Sequence, residues 1–118
     1  MLTIQKNGNI IPVKGDVTKK EDLQAIVDQI TKDDGFINVL IANSGIGGPR
    51  FDPLKPTLSI AEFRDALWKV DFDAFTNTHA VNNTAVFFTI AAFLGLLDAG
   101  NKKSNVEQAS QVIATSSM

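Results

Sequence analysis

The chain has 118 residues, 44% of them apolar and 20% charged, with a formal net charge of −2. That length suits one domain with a buried core, and 11 basic against 13 acidic residues leave no large electrostatic footprint for nucleic acid. With no cysteine, one histidine and no tyrosine, the chain is excluded from disulfide, thiolate-metal, multi-histidine-metal and phenolic acid–base chemistry. No metal site is expected.

Met1 to Asn9 mixes polar and apolar residues and lacks the apolar block of a signal peptide. Ile10-Ile11-Pro12-Val13 reads as a short strand, and its proline places it at a sheet edge or a strand start. Thr18 and Glu21 have the spacing of a capping box. Leu23, Ile26, Val27 and Ile30 then define one helical face, and Gly35 is the expected left-handed stop. Val39-Leu40-Ile41-Ala42 is apolar on both pleat faces, as suits a parallel strand covered by helices on each side. It opens into the glycine-rich loop Asn43 to Pro49.

Ser59 and Glu62 form a second capping box before the stripe Phe63, Leu67 and Val70. A longer helix is predicted from about Ala74 to Leu97, stopped by Asp98-Ala99-Gly100-Asn101. Its apolar run, Ala85 to Leu97, is shorter than the ~20 residues that span a bilayer, so a buried helix, and a soluble cytoplasmic protein without membrane contact, is expected. Gln111 to Thr115 reads as the last strand. The order β-α-β-α-α-β predicts an open α/β sheet with right-handed crossovers.

Ligands of such sheets bind beyond the carboxyl ends of the strands. Small polar residues follow all three predicted strands: Asp16, then Asn43 to Gly45, then Ser116-Ser117. Asp16 equally suits a turn or cap, and Gly45, Gly47 and Gly48 equally suit a tight turn with positive φ. Gly45 and Gly47 begin a dinucleotide fingerprint, but Arg50 stands at its third glycine position.

Four segments, in order, resemble the short-chain dehydrogenase/reductase family, and together they cover nearly the whole chain. Gly15-Asp16-Val17-Thr18 is similar to the segment that contacts the cofactor adenine. Val39 to Gly45 is similar to the strand ending Asn-Asn-Ala-Gly, with Ala42 in place of the first Asn and Ser44 in place of the Ala. Val81-Asn82-Asn83-Thr84-Ala85-Val86-Phe87 resembles the helix carrying the active-site asparagine, which maps to Asn82. Ser110 to Ser117 resembles the strand ending in the catalytic serine, which maps to Ser117.

The resemblance implies a Rossmann-like open parallel sheet with flanking helices, truncated at both ends, so that residues 1–118 form a partial NAD(P)-binding domain. It implies an NAD- or NADP-dependent oxidoreductase of alcohol or ketone groups. Asp16, Val17, Asn43, Ser44 and Gly45 would bind the cofactor, and Ser117 and Asn82 would be catalytic. In the family a tyrosine exchanges the proton, a serine orients the carbonyl, a lysine lowers the tyrosine pKa and an asparagine helps to hold a water. The phosphate-binding glycine turn and the Tyr-x-x-x-Lys pair have no counterpart in the 118 residues, and His79 is read as an ordinary histidine rather than a replacement acid. Turnover by this chain alone is therefore not expected. The alternative is a non-catalytic relative that self-associates, or binds a full-length homologue, through the long apolar helix. In the family order, two further strands lie between the Ile10 and Val39 strands, and without them the sheet edge is open.

Overall fold

Leu23, Ile26, Val27 and Ile30 form the inner face of helix α1 (Lys20–Asp33), with Leu23 buried and the others half-buried. The computed structural model describes residues 10–50 and 55–116. Helix α1 ends as the sequence indicates. Gly35 takes φ +79°, and the N–H groups of Asp34 and Gly35 both reach the Ile30 carbonyl at 2.9 Å. Its start differs. The N-cap is Lys19, without a side-chain cap, and Thr18 turns back to donate from Oγ1 and from its backbone N to Asp16 Oδ1 (2.7 and 2.9 Å). A charged acceptor two residues upstream outcompetes the expected capping box.

Strand β1 (Val39–Ala42) pairs in parallel with β2 (Gln111–Ala114), Val39 opposite Gln111 and Ala42 opposite Ala114. The crossover between them carries α2 (Ile60–Trp68), α3 (Phe72–His79), a π-helical turn (Ala80–Thr84) and α4 (Ala85–Lys103). Leu40 and Ala42 are buried under α4, in a core with Phe93, Leu96 and Leu97. The expectation of a strand covered on both faces is corrected, because Val39 and Ile41 on the other face are 49% and 59% exposed.

Ile10 to Val13 does not form the expected strand. Ile10 and Ile11 are 60% and 66% exposed, and Pro12 removes a ladder donor. An extended segment with no neighbour gains no ladder hydrogen bonds to offset its ordering.

The capping box at α2 forms as read. Ser59 Oγ accepts from the Glu62 N–H, and Glu62 Oε2 accepts from the Ser59 N–H at 2.8 Å. Asp71 caps α3 through the Ala74 N–H at 2.7 Å. From Phe72 the helix continues through the π turn to Lys103, 32 residues in all. It starts two residues earlier than predicted and passes straight through Asp98 to Asn101. Gly100 fails to break it because the glycine lets the helix lie on the Ile37 carbonyl, which a Cβ would overlap. Lys102 closes an i,i+4 pair on Asp98, and Ser104 at φ 51° ends the helix. The unbroken helix is long and apolar enough to cross a membrane by length and composition, unlike the shorter run read from the sequence. Its buried residues pack on β1 and face α1.

Candidate functional site

The parallel ladder places the carboxyl ends of β1 and β2 side by side. One residue beyond the last paired alanines, the Thr115 N–H donates to the Ala42 carbonyl at 3.0 Å, and Thr115 Oγ1 donates to Asn43 Oδ1 at 2.8 Å. This side-chain bond ties the two strand ends together just where the loops leave the sheet.

Asn82 reaches the same place from the π turn. Its Oδ1 accepts from the Ile46 N–H at 2.8 Å, and its Nδ2 donates to the Ile46 carbonyl at 2.9 Å. The amide thus pairs with the glycine loop as a neighbouring strand would. Here the helix widens, with the Ala85 N–H reaching back five residues to the Ala80 carbonyl. Such widened turns recur where a helix aims a functional side chain. Gly45 and Gly48 serve close approach to the helix rather than positive φ, which among the described glycines only Gly35 adopts. A Cβ on Gly45 would come within 3.3 Å of Asn82 Oδ1, and one on Gly48 within 3.3 Å of Thr78 Oγ1.

These residues surround an open groove of about 520 Å³ lined by Asn43, Ser44, Gly45, Asn82, Thr115 and Ser116. Val17 lies next door, in an apolar trough of about 180 Å³ that also touches Asn43 and Ser44. Asp16 lines neither. Its Oδ1 holds Thr18, its N–H donates to Asp22 Oδ2 at 2.8 Å, and the Thr18 hydroxyl, then the Thr18 N–H, hold its carboxyl below the usual aspartate range. Asp16 is therefore an anionic turn residue at the head of α1. Ser117 lies outside the described residues. His79 packs its ring 5.6 Å from Phe75 at the end of α3, away from the groove lining.

Of the seven residues singled out from sequence, Asn43, Ser44, Gly45 and Asn82 converge on one groove and Val17 borders it. Thr115 and Ile46 were missed. Thr115 reads as the last residue of a strand, and nothing local marks Ile46 as the partner of an asparagine 36 positions on.

A parallel sheet with helical crossovers and a polar groove at its carboxyl ends defines a Rossmann-type α/β fold. The chain matches the short chain dehydrogenase family over residues 2–118, and it belongs to that family of oxidoreductases. It is 51% identical over 115 residues to the short-chain dehydrogenase/reductase PhomF of Diaporthe leptostromiformis, covering 96% of this chain and 39% of that protein. It is also 51% identical over 98 residues to the short-chain dehydrogenase/reductase SAT3 of Stachybotrys chartarum, covering 82% of this chain and 36% of that one. The chain thus spans well under half the length of these relatives. Among solved structures, the NADH-dependent reductase A1-R′ complexed with NAD shares the fold, with a TM-score of 0.67 and 24% identity over 90% of this chain and 37% of that one.

Proposed function

We propose that the groove at the ends of β1 and β2 is the cofactor- and substrate-facing part of an NAD(P)-dependent oxidoreductase of alcohol or ketone groups. The convergence of Asn43, Ser44, Gly45 and Asn82 on that groove carries this reading. The donor set suits the ribose and nicotinamide end of a dinucleotide. It offers uncharged amide and hydroxyl groups, and it has a glycine where loop backbone and helix come close. When bound, the nicotinamide supplies or takes up hydride.

The chain's own residues do the rest. Asn43 to Gly45 line the nucleotide, and Thr115 holds the Asn43 amide through its carbonyl oxygen. Val17 supplies an apolar contact and Asp16 an ionised carboxylate on the adenine side. Asn82 fixes the glycine loop through Ile46, and the Ser117 hydroxyl orients the substrate carbonyl. Residues 1–118 then form part of an NAD(P)-binding domain, at work in the cytoplasm without membrane or nucleic acid partners. Self-association uses the exposed Phe72, Phe75, Phe87 and Leu94 of the long helix. With no tyrosine among its residues, the 118-residue chain does not itself turn over.

Titration of the isotopically labelled chain with nicotinamide mononucleotide tests the site. The expected result is amide shifts confined to the groove lining, namely Asn43, Ser44, Gly45, Ile46, Thr115, Ser116 and the Asn82 side chain. Shifts elsewhere, or none at saturating ligand, overturn the assignment. Ketone reduction by the purified chain with NADPH would overturn the claim of no turnover.

A further inference from the structure

Among the described residues no charged side chain lines the groove at the ends of β1 and β2. Its polarity is therefore set by which amide and hydroxyl groups are already engaged. A hydroxyl, such as that of Ser44 or Ser116, donates or accepts as its neighbour requires and imposes no polarity. A carboxamide differs, because its oxygen only accepts and its nitrogen only donates. Asn82 has both ends occupied by Ile46, the oxygen by the N–H and the nitrogen by the carbonyl. Asn43 has its oxygen occupied, by Thr115 Oγ1 at 2.8 Å. Among the described residues its Nδ2 has no partner, and the exposed side chain lines the groove.

The register of the sheet makes this tie. Ala42 lies opposite Ala114, and the Thr115 N–H donates to the Ala42 carbonyl at 3.0 Å. The parallel ladder thus runs one step further and sets positions 43 and 115 side by side on one face. Threonine suits the place. Its β-branched side chain has few χ1 rotamers, so a hydroxyl on this anchored backbone holds the amide oxygen with little further loss of freedom. The two ends of a carboxamide diverge, so an oxygen turned to β2 sends the N–H pair away from it.

We propose that Thr115 is a positioning residue, which locks the Asn43 carboxamide with its oxygen against β2 and its N–H pair toward the groove. The ligand group that docks there then presents an acceptor oxygen, a carbonyl or a hydroxyl. An ammonium, which has donors alone, is turned away. Without the lock, Asn43 would offer either end and discriminate neither. The lock stands on geometry, and the choice of a nucleotide as the ligand rests on the cofactor reading.

The test is NMR on the labelled chain and two variants. Thr115→Val keeps the branched shape and the backbone bond to Ala42 but removes the hydroxyl, and Thr115→Ser keeps the hydroxyl. Without ligand, the Asn43 side-chain amide should be rigid on the ps–ns timescale in the wild type and in Thr115→Ser, and mobile in Thr115→Val. Nicotinamide mononucleotide should bind Thr115→Val about three- to tenfold more weakly than the wild type, and Thr115→Ser within about twofold of it. An Asn43 amide that stays rigid in Thr115→Val overturns the lock. Equal affinity of Thr115→Val and wild type overturns the donor role. Weaker binding with faster exchange of the backbone amide at position 115 also overturns it, since the threonine would then act through the ladder. A mononucleotide that leaves the wild-type groove unshifted sinks the cofactor reading instead, and the ligand-free comparison still decides the lock.

Discussion

Residues 10–13 and 39–42 are both short runs of aliphatic and β-branched residues, yet only the second is a strand. Val39 to Ala42 has β2 hydrogen-bonded along one side and α4 packed on Leu40 and Ala42. Ile10 to Val13 has neither, and its isoleucines face solvent. The difference shows that β-propensity is a readiness to fit a half-built surface, not a property the segment carries with it.

Five measurements would break or sharpen that contrast. Phe93 covers the inner face of β1, so Phe93→Ala should cost about 3–5 kcal/mol in chemical denaturation. A loss under about 1 kcal/mol would mean the cover over β1 is not what holds it. Two glycines of α4 should then respond with opposite sign. Gly100→Ala drives a Cβ into the Ile37 carbonyl at the entry to β1 and should destabilise by about 1–3 kcal/mol. Gly95 has nothing within 4 Å of such a Cβ, so Gly95→Ala should gain up to about 1 kcal/mol from helix propensity. Equal signs in melting experiments would refute the close approach.

At the exit of β1, Asn82→Ala removes both bonds to Ile46 and should cost about 1–2 kcal/mol, with faster exchange of the Ile46 amide as its local signature. The α2 cap stands apart from both runs and serves as a control. Ser59's backbone N–H first, and then its hydroxyl, hold the Glu62 carboxyl below the usual glutamate range. A depressed folded-state pKa means the contribution is complete above the ordinary glutamate value and is lost as pH falls through the lowered one. The protection factors of the amides at the start of α2, taken relative to intrinsic exchange at each pH, should therefore fall in acid while those of α4 do not. The smallest effect belongs to residues 10–13, where Ile11→Lys should change stability by less than about 0.5 kcal/mol. A larger loss would reveal a partner for that segment.

The legible parts of the sequence were those decided locally. The apolar stripe of α1, the glycine after it, the Ser59–Glu62 box and the two paired strands all follow from spacings of a few residues. Apart from the Thr18 cap, lost to Asp16 two residues upstream, what escaped depends on distant partners. Nothing near Val39 or Ile41 tells that their face is bare, and nothing near Gly100 tells that a carbonyl 63 positions earlier makes a glycine useful inside a helix. The site divides in the same way. Asn43, Ser44, Gly45 and Asn82 were recognisable as a family pattern, but the pairing of Thr115 with Asn43 spans 72 positions. It rests on a threonine that alone suggests only a strand end.

The π turn at Ala80–Thr84 has a consequence for length variation. A wide turn accommodates one residue more than the α repeat allows. Deleting a single residue there would let the helix close up as regular α with its flanking turns still in register, but would remove the extra residue that turns Asn82 out toward Ile46. Gains and losses of one residue should therefore be tolerated elsewhere on the exposed helix ends far better than at this point, where the count itself aims the asparagine at the loop.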